Sequence, residues 1–477
     1  MRNKKSSLAL TVVLTISAAT MILAAPRVTA QSITVLHRFD ANGVDGFGPN
    51  GSLIFDAAGN LYGTTAGGGA SCGTVFELSP KAGGGWTEKI LYNFGCDNQF
   101  GEDGPIGSLI FDANGNLYGA TAAGGTGECY NPFNDQNELL GCGTVFELTP
   151  SDGAWTEKEL HNFTDSTRDG ASPNGGLIFD AAGNLYGTTG QGGSGCLVKE
   201  GNTGCGTVFE LSPTAGGGWA EQVLYRFGEA EADGTYPSAG LVMDTAGNLY
   251  GTTWNGGDST LCAPDGCGTV FELSRGLGRS WKEKVLYDFG SSNGVEQASS
   301  GGLIFDSAGS LYGTTSIGGG VSAGTVFELS PMEGGSWTEK VLYNFCSKPD
   351  CTDGEAPEAG LILDASGNLY GTTNKGGAGL GYGTVFELTP EADGSWTERV
   401  LYSFGGGLGH FVGGAFPDSG LIMDGEGNLY GTAPVGGIGY ERRGGFYGYG
   451  TAFEVRPSAS IRERLGYRGM EPGFSIP

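Results

Sequence analysis

Residues 56–65 read DAAGNLYGTT, and near-copies of this stretch begin at Asp112, Asp180, Asp244, Asp306, Asp364 and Asp424. Successive copies are 56, 68, 64, 62, 58 and 60 residues apart. Such a period marks a repeat architecture, in which each unit buries its apolar face against its neighbours. Around the first copy lie four short pieces rich in β-branched and aromatic residues and bounded by Gly, Pro, Asn or Asp, the pattern of strands and turns. Strand A is SLIFD, residues 52–56. Strand B is NLYGTT, residues 60–65. Strand C is GTVFELS, residues 73–79, and strand D is WTEKILYNF, residues 86–94.

Strand C returns at Gly143, Gly206, Gly268, Gly324, Gly383 and Gly450, and strand D at Trp155, Trp219, Trp281, Trp337 and Trp396. Six of the seven Trp thus share one repeat position, and Trp254 alone lies elsewhere. Strands A, B and C occur seven times, but the Trp-led strand D only six. The missing piece is ITVLHRF, residues 33–39, which aligns with KILYNF and puts Phe39 in the place of Phe94. The predicted fold is all-β: a seven-bladed β-propeller of four-stranded blades, closed by the N-terminal strand. Closure removes the seam that a ring of sheets otherwise leaves unpaired.

FDAAGNLYGTT, GTVFELSP and WTEKVLYNF together resemble the GloVer (Gloeo/Verruco) tandem repeat of exported bacterial proteins named for a choice of anchor. The resemblance implies an exported β-propeller and brings no catalytic residues with it. No sorting segment follows Pro457, so the anchored state is not expected here.

Composition agrees with this reading. Gly makes up 93 of 477 residues, against a usual share of roughly 7%, without the Gly-X-Y period of collagen. Residues 1–30 read as a signal peptide: Arg2, Lys4 and Lys5, an apolar run over 8–25, and small residues before Gln31. The expected organisation is a signal peptide at 1–30, the propeller at 31–457 and a loosely ordered tail at 458–477. The net charge of −27 argues against nucleic acid or anionic lipid as a partner. The chain is expected to be secreted, extracellular or periplasmic, and monomeric.

All ten Cys follow the leader, and an even count in an exported chain reads as disulfides. The expected pairs are Cys72–Cys96, Cys129–Cys142, Cys196–Cys205, Cys262–Cys267 and Cys346–Cys351. Paired Cys-x-x-Cys sets for zinc are lacking.

Asp56 and its copies offer one carboxylate per loop, which suits a turn better than calcium. Glu77 falls opposite Lys89 and Glu387 opposite Arg399 of strand D, a cross-strand pairing that Gln222 weakens in the third repeat. Of the three His, His37 and His161 replace the strand-D Tyr and His410 lies in a Gly-rich loop.

The D-to-A loops repeat Asp-Gly-x-x-Pro at Asp45, Asp169, Asp233 and Asp353, and in shifted form at Asp103. These five Asp are the candidate ligand-binding residues at one mouth of the channel, where a Ca²⁺ is conceivable though no cofactor is expected. The expected function is a non-catalytic binding module for an extracellular glycan or protein, because residues that fail to repeat are confined to loops. The alternative is a secreted carbohydrate-active hydrolase or lyase using the same acids and Glu102.

Overall fold

The structure, a computed structural model, describes residues 32–457 apart from 70–71, 96–103, 130–140, 165–166, 195, 197–203, 231, 259–261, 263–264, 277, 279, 291–296, 299–300, 406–412, 438–440, 443–444 and 447. It is all-β: seven four-stranded antiparallel blades in a ring, a seven-bladed β-propeller. In blade 1 the strands are Gly46–Phe55 (A), Leu61–Gly68 (B), Thr74–Pro80 (C) and Trp86–Asn93 (D). In blade 7 the outer strand is Ile33–Arg38, which pairs antiparallel with Thr451–Val455 through Ile33↔Val455 and Val35↔Phe453. The predicted closure by the N-terminal strand is therefore present.

The repeated decapeptide makes the A–B hairpin. Asp56 Oδ1 accepts the N–H of Ala58 (2.9 Å) and of Asn60 (2.8 Å), while Oδ2 accepts Asn60 Nδ2 (2.7 Å) and the Tyr62 hydroxyl (3.1 Å). Gly59 takes φ +83°, a conformation that side chains disfavour. Burial raises the Asp56 pKa, but the bonds from Asn60, Tyr62 and Ala58 outweigh it and leave the group below its ordinary value.

The core consists of the seams between blades. At every seam the last Phe of strand D meets the strand-C Phe of the next blade edge-on, from Phe39–Phe76 (5.1 Å) through Phe227–Phe271 (5.0 Å) to Phe404–Phe453 (5.3 Å). Burying a Phe contributes about 1.5–3 kcal/mol. The repeated Trp is also a seam residue: Trp86 packs on Tyr430, and Trp219 on Tyr118, each in the preceding blade.

The predicted register Glu77↔Lys89 and Glu387↔Arg399 is observed, with Gln222 opposite Glu210. The lysine head groups reach further than that register suggests. Lys89, Lys158, Lys284 and Lys340 donate to carbonyls of the next blade's C–D hairpin, at Gly153, Gly217, Gly335 and Gly394. A long side chain on an outermost strand spans the seam, where it meets a carbonyl already turned outward.

The inner strands meet around the channel at backbone distance. A Cβ on Gly51 would lie 2.1 Å from the Gly107 carbonyl oxygen, and one on Gly175 would lie 2.3 Å from Gly240 N, so these positions admit only Gly. The first Thr of the repeated Thr-Thr ties strand B to the next blade's strand A, as in Thr188 Oγ1 to Ala239 O (3.1 Å) and Thr314 Oγ1 to Ala359 O (3.0 Å).

Candidate ligand-binding cleft, channel and seam acids

In every described C–D pair, and between Ile33–Arg38 and its partner, the register shifts by one residue just before the last Tyr or His of strand D. Such a bulge re-aims a side chain. Here it brings His37, His161, Tyr225 and Tyr343 within hydrogen-bond distance of the Asp of the following D-to-A loop.

Four of the five candidate Asp are described, and each lies in its own seam. Asp45 Oδ2 accepts Asp40 N (3.0 Å) and lies 3.1 Å from His37 Nε2. Asp169 Oδ1 accepts Gly170 N (2.7 Å) and lies 3.3 Å from His161 Nε2, while its Oδ2 accepts the N–H and hydroxyl of Thr164. Asp233 Oδ2 accepts the Tyr225 hydroxyl (3.0 Å) and Gly228 N (2.8 Å). Asp353 Oδ2 accepts the Tyr343 hydroxyl (2.8 Å) and both donors of Ser347. All four are buried, and each has different partners. Asp103, together with Glu102, lies outside the described residues.

Facing these Asp are acids of the next blade's strand D that sequence reasoning missed. They are the Glu two residues after each repeated Trp. Burial raises the Glu88 pKa, and the hydrogen bond and charge of Asp45 add to it. Glu221 and Glu283 are pushed up to about 7, first by burial and then by the charges of Asp169 and Asp233. Burial also raises Glu398, although Lys348 Nζ lies 2.5 Å from it. For Asp169 and Asp353 burial is the largest influence and acts upward, but their hydrogen bonds together hold them low; for Asp233 burial prevails. Between blades 6 and 7, Gly413 stands at the Asp position and Ile33 at the Glu position. A Cβ on Gly413 would lie 3.3 Å from Ile33 Cδ1 and 2.8 Å from the Tyr402 hydroxyl.

The channel holds a cavity of ≈ 390 Å³ lined by strand-A residues of all seven blades. Asn174, Ser238, Glu358 and Asp418 occupy one repeat position on this wall, and sequence reasoning passed over the two acids among them. Asp418 is exposed by area yet sunk in the channel. Confinement pushes its pKa up to about 6, with Glu358 adding to the shift. Burial raises Glu358 too, opposed by Lys375.

A second cavity, ≈ 490 Å³, opens over blades 2–4 between Trp254, Tyr236, Ile106, Gln191, Ser172 and Pro173, and shares Asn174 and Ser238 with the channel. Trp254 extends from the end of strand B at the position filled by Ala66, Ala122 and Gly190 in the preceding blades. Tyr236 has φ +57°, rare for a bulky residue. Its N–H is held by Cys205 O (2.9 Å) across the seam.

Four expected disulfides are formed: Cys129–Cys142, Cys196–Cys205, Cys262–Cys267 and Cys346–Cys351. Cys72 is disulfide-bonded as well, and Cys96 lies outside the described residues. These bonds fit an oxidising compartment. No helix among the described residues is long and apolar enough to cross a membrane.

A family model described as a Gloeobacter/Verrucomicrobia repeat matches residues 24–194, 136–352 and 262–465. No curated protein matches the chain. Among solved structures, an ancestral GH74 enzyme is similar at 12% identity and TM-score 0.50, over 89% of this chain and 51% of that one. This chain therefore spans about half the length of that enzyme. The PQQ-bound aldose sugar dehydrogenase of Streptomyces coelicolor is similar at 15% identity and TM-score 0.38, over 75% of this chain and 97% of that one. At these identities the likeness concerns the fold alone.

Proposed function

The chain belongs to the Gloeobacter/Verrucomicrobia repeat family, and from that premise and the cleft geometry we propose that it is a secreted, monomeric, non-catalytic module that binds an extracellular glycan. The observation that carries this reading is the cleft walled by Trp254 and Tyr236. Aromatic rings offer flat apolar faces to sugar C–H groups. Gln191, Asn174, Ser172 and Ser238 offer amides and hydroxyls for the sugar's edge, the usual division of labour in a small-ligand site. Trp254 is the single Trp outside the repeat scheme, so packing of the fold does not require it.

Glycan-array screening followed by calorimetry tests the reading. Trp254→Ala should weaken binding at least about tenfold, the loss of roughly 1.4 kcal/mol. Its melting temperature should stay near wild type, because other blades carry Ala at this position. Absence of any glycan ligand, or equal binding by the variant, would refute the proposal.

A second reading, hydrolysis of a glycan, is favoured by Glu358 and Asp418. Glycosidases use two carboxyl groups about 5–10 Å apart with one held protonated, and Asp418 at about 6 suits an acid near neutral pH. Reducing-sugar release that disappears in Glu358→Gln and Asp418→Asn would establish it.

A further inference from the structure

The seam that closes the ring differs from the others among the described residues. His37 Nε2, Asp45 and Glu88 each place one ligand atom within 4.8 Å of the other two. His37 Nε2 lies 3.1 Å from Asp45 Oδ2 and 3.6 Å from Glu88 Oε1. The Asp45 side chain is only 8% exposed, yet with both carboxylates ionised its Oδ1 meets no N–H or O–H donor, and neither does Glu88 Oε1. Asp45 Oδ2 and Glu88 Oε1 thus face one imidazole nitrogen, with a buried, unpartnered oxygen left on Asp45, and a bound cation would satisfy both carboxylates.

The other described seams lack this arrangement. At Asp169 both oxygens are taken by donors. Asp233 Oδ1 and Glu283 Oε1 are unpartnered too, but at Asp233 and Asp353 a Tyr hydroxyl stands where the imidazole would be, so the imidazole sets the closing seam apart. The geometry points to a divalent transition-metal site, of the Zn²⁺ or Mn²⁺ class, formed by His37, Asp45 and Glu88. One imidazole and two carboxylates are a donor set for such ions, whereas Ca²⁺ prefers six to eight oxygens. His37 comes from the closing strand, Asp45 from the loop after it and Glu88 from blade 1. The ion would thus clamp the N-terminal strand to the first blade.

The test uses the full chain, purified and freed of metal by EDTA dialysis. Titration with ZnCl₂ should show one Zn²⁺ per chain, with a melting temperature that rises with free Zn²⁺. Co²⁺ should give visible absorption bands of a nitrogen- and oxygen-ligated ion. His37→Tyr installs the residue most seams carry, so it should fold while binding Zn²⁺ at least about tenfold more weakly. His161→Tyr should bind as wild type. No stoichiometric Zn²⁺, or undiminished binding in His37→Tyr, overturns the site. So does a metal-indifferent protein stabilised by Glu88→Gln, because a shared proton would then be the missing cation.

Discussion

Phe39 tests ring closure most sharply. It is fully buried and meets Phe76 edge-on at 5.1 Å, as Phe227 meets Phe271 at 5.0 Å within the continuous part of the chain. Truncating a buried Phe to Ala removes its transfer free energy and leaves a cavity, together about 3–5 kcal/mol. Because both residues occupy the same niche, Phe39→Ala and Phe227→Ala should cost the same within roughly 1 kcal/mol. A domain with a total stability of roughly 5–15 kcal/mol would register either loss plainly. Were residues 33–39 a loosely held arm, Phe39→Ala would fall within about 0.5 kcal/mol of wild type. Urea unfolding followed by Trp fluorescence is the assay, since the repeated Trp report on the seams. A full loss in Phe227→Ala beside a near-silent Phe39→Ala would refute closure by the N-terminal strand.

The seam acids predict a pH response. Glu221 and Glu283 have folded-state pKa values of about 7 against an ordinary 4.5. Their contribution is therefore complete below about pH 4.5 and is lost as pH rises through 7. The double variant Glu221→Gln, Glu283→Gln should show a flatter stability profile between pH 4.5 and 7, and an unchanged slope would contradict the assignment. Peptide mapping under non-reducing conditions should recover Cys72 linked to Cys96 beside the four pairs described above; a free Cys72 thiol would overturn that pairing.

The blades were legible because their requirements are local and repeated. Asp56, Gly59 and Asn60 specify a turn within five residues, and the missing strand D could be matched to residues 33–39 by alignment alone. The seam chemistry was not legible. Glu88 and Asp45 are far apart in sequence and become neighbours only through the curvature of the ring. A signal existed, since a Glu follows each repeated Trp by two residues on an outward strand that otherwise reads as solvent-facing. Glu358 and Asp418 were open to a column-by-column comparison of strand A, where Asn50, Ile106, Asn174 and Ser238 show that the position is not held by packing. Trp254 was noticed as an exception, but the wall formed with Tyr236 depends on a left-handed backbone turn that no propensity announces.

Closure by strands from opposite ends of the chain also sets a timetable. Residues 33–38 are synthesised before any other strand of the ring, and their partners at 451–455 after the others. Until then the growing molecule carries a free strand at one end and, once blade 7 forms, a free sheet edge at the other, each the complement of the other. Within one molecule that pairing makes a ring at a rate independent of dilution. Between molecules the same pairing makes an open head-to-tail polymer, favoured as the concentration of chains rises. Refolding yield should therefore fall with protein concentration, and the contest is decided by how quickly the two ends of one molecule meet.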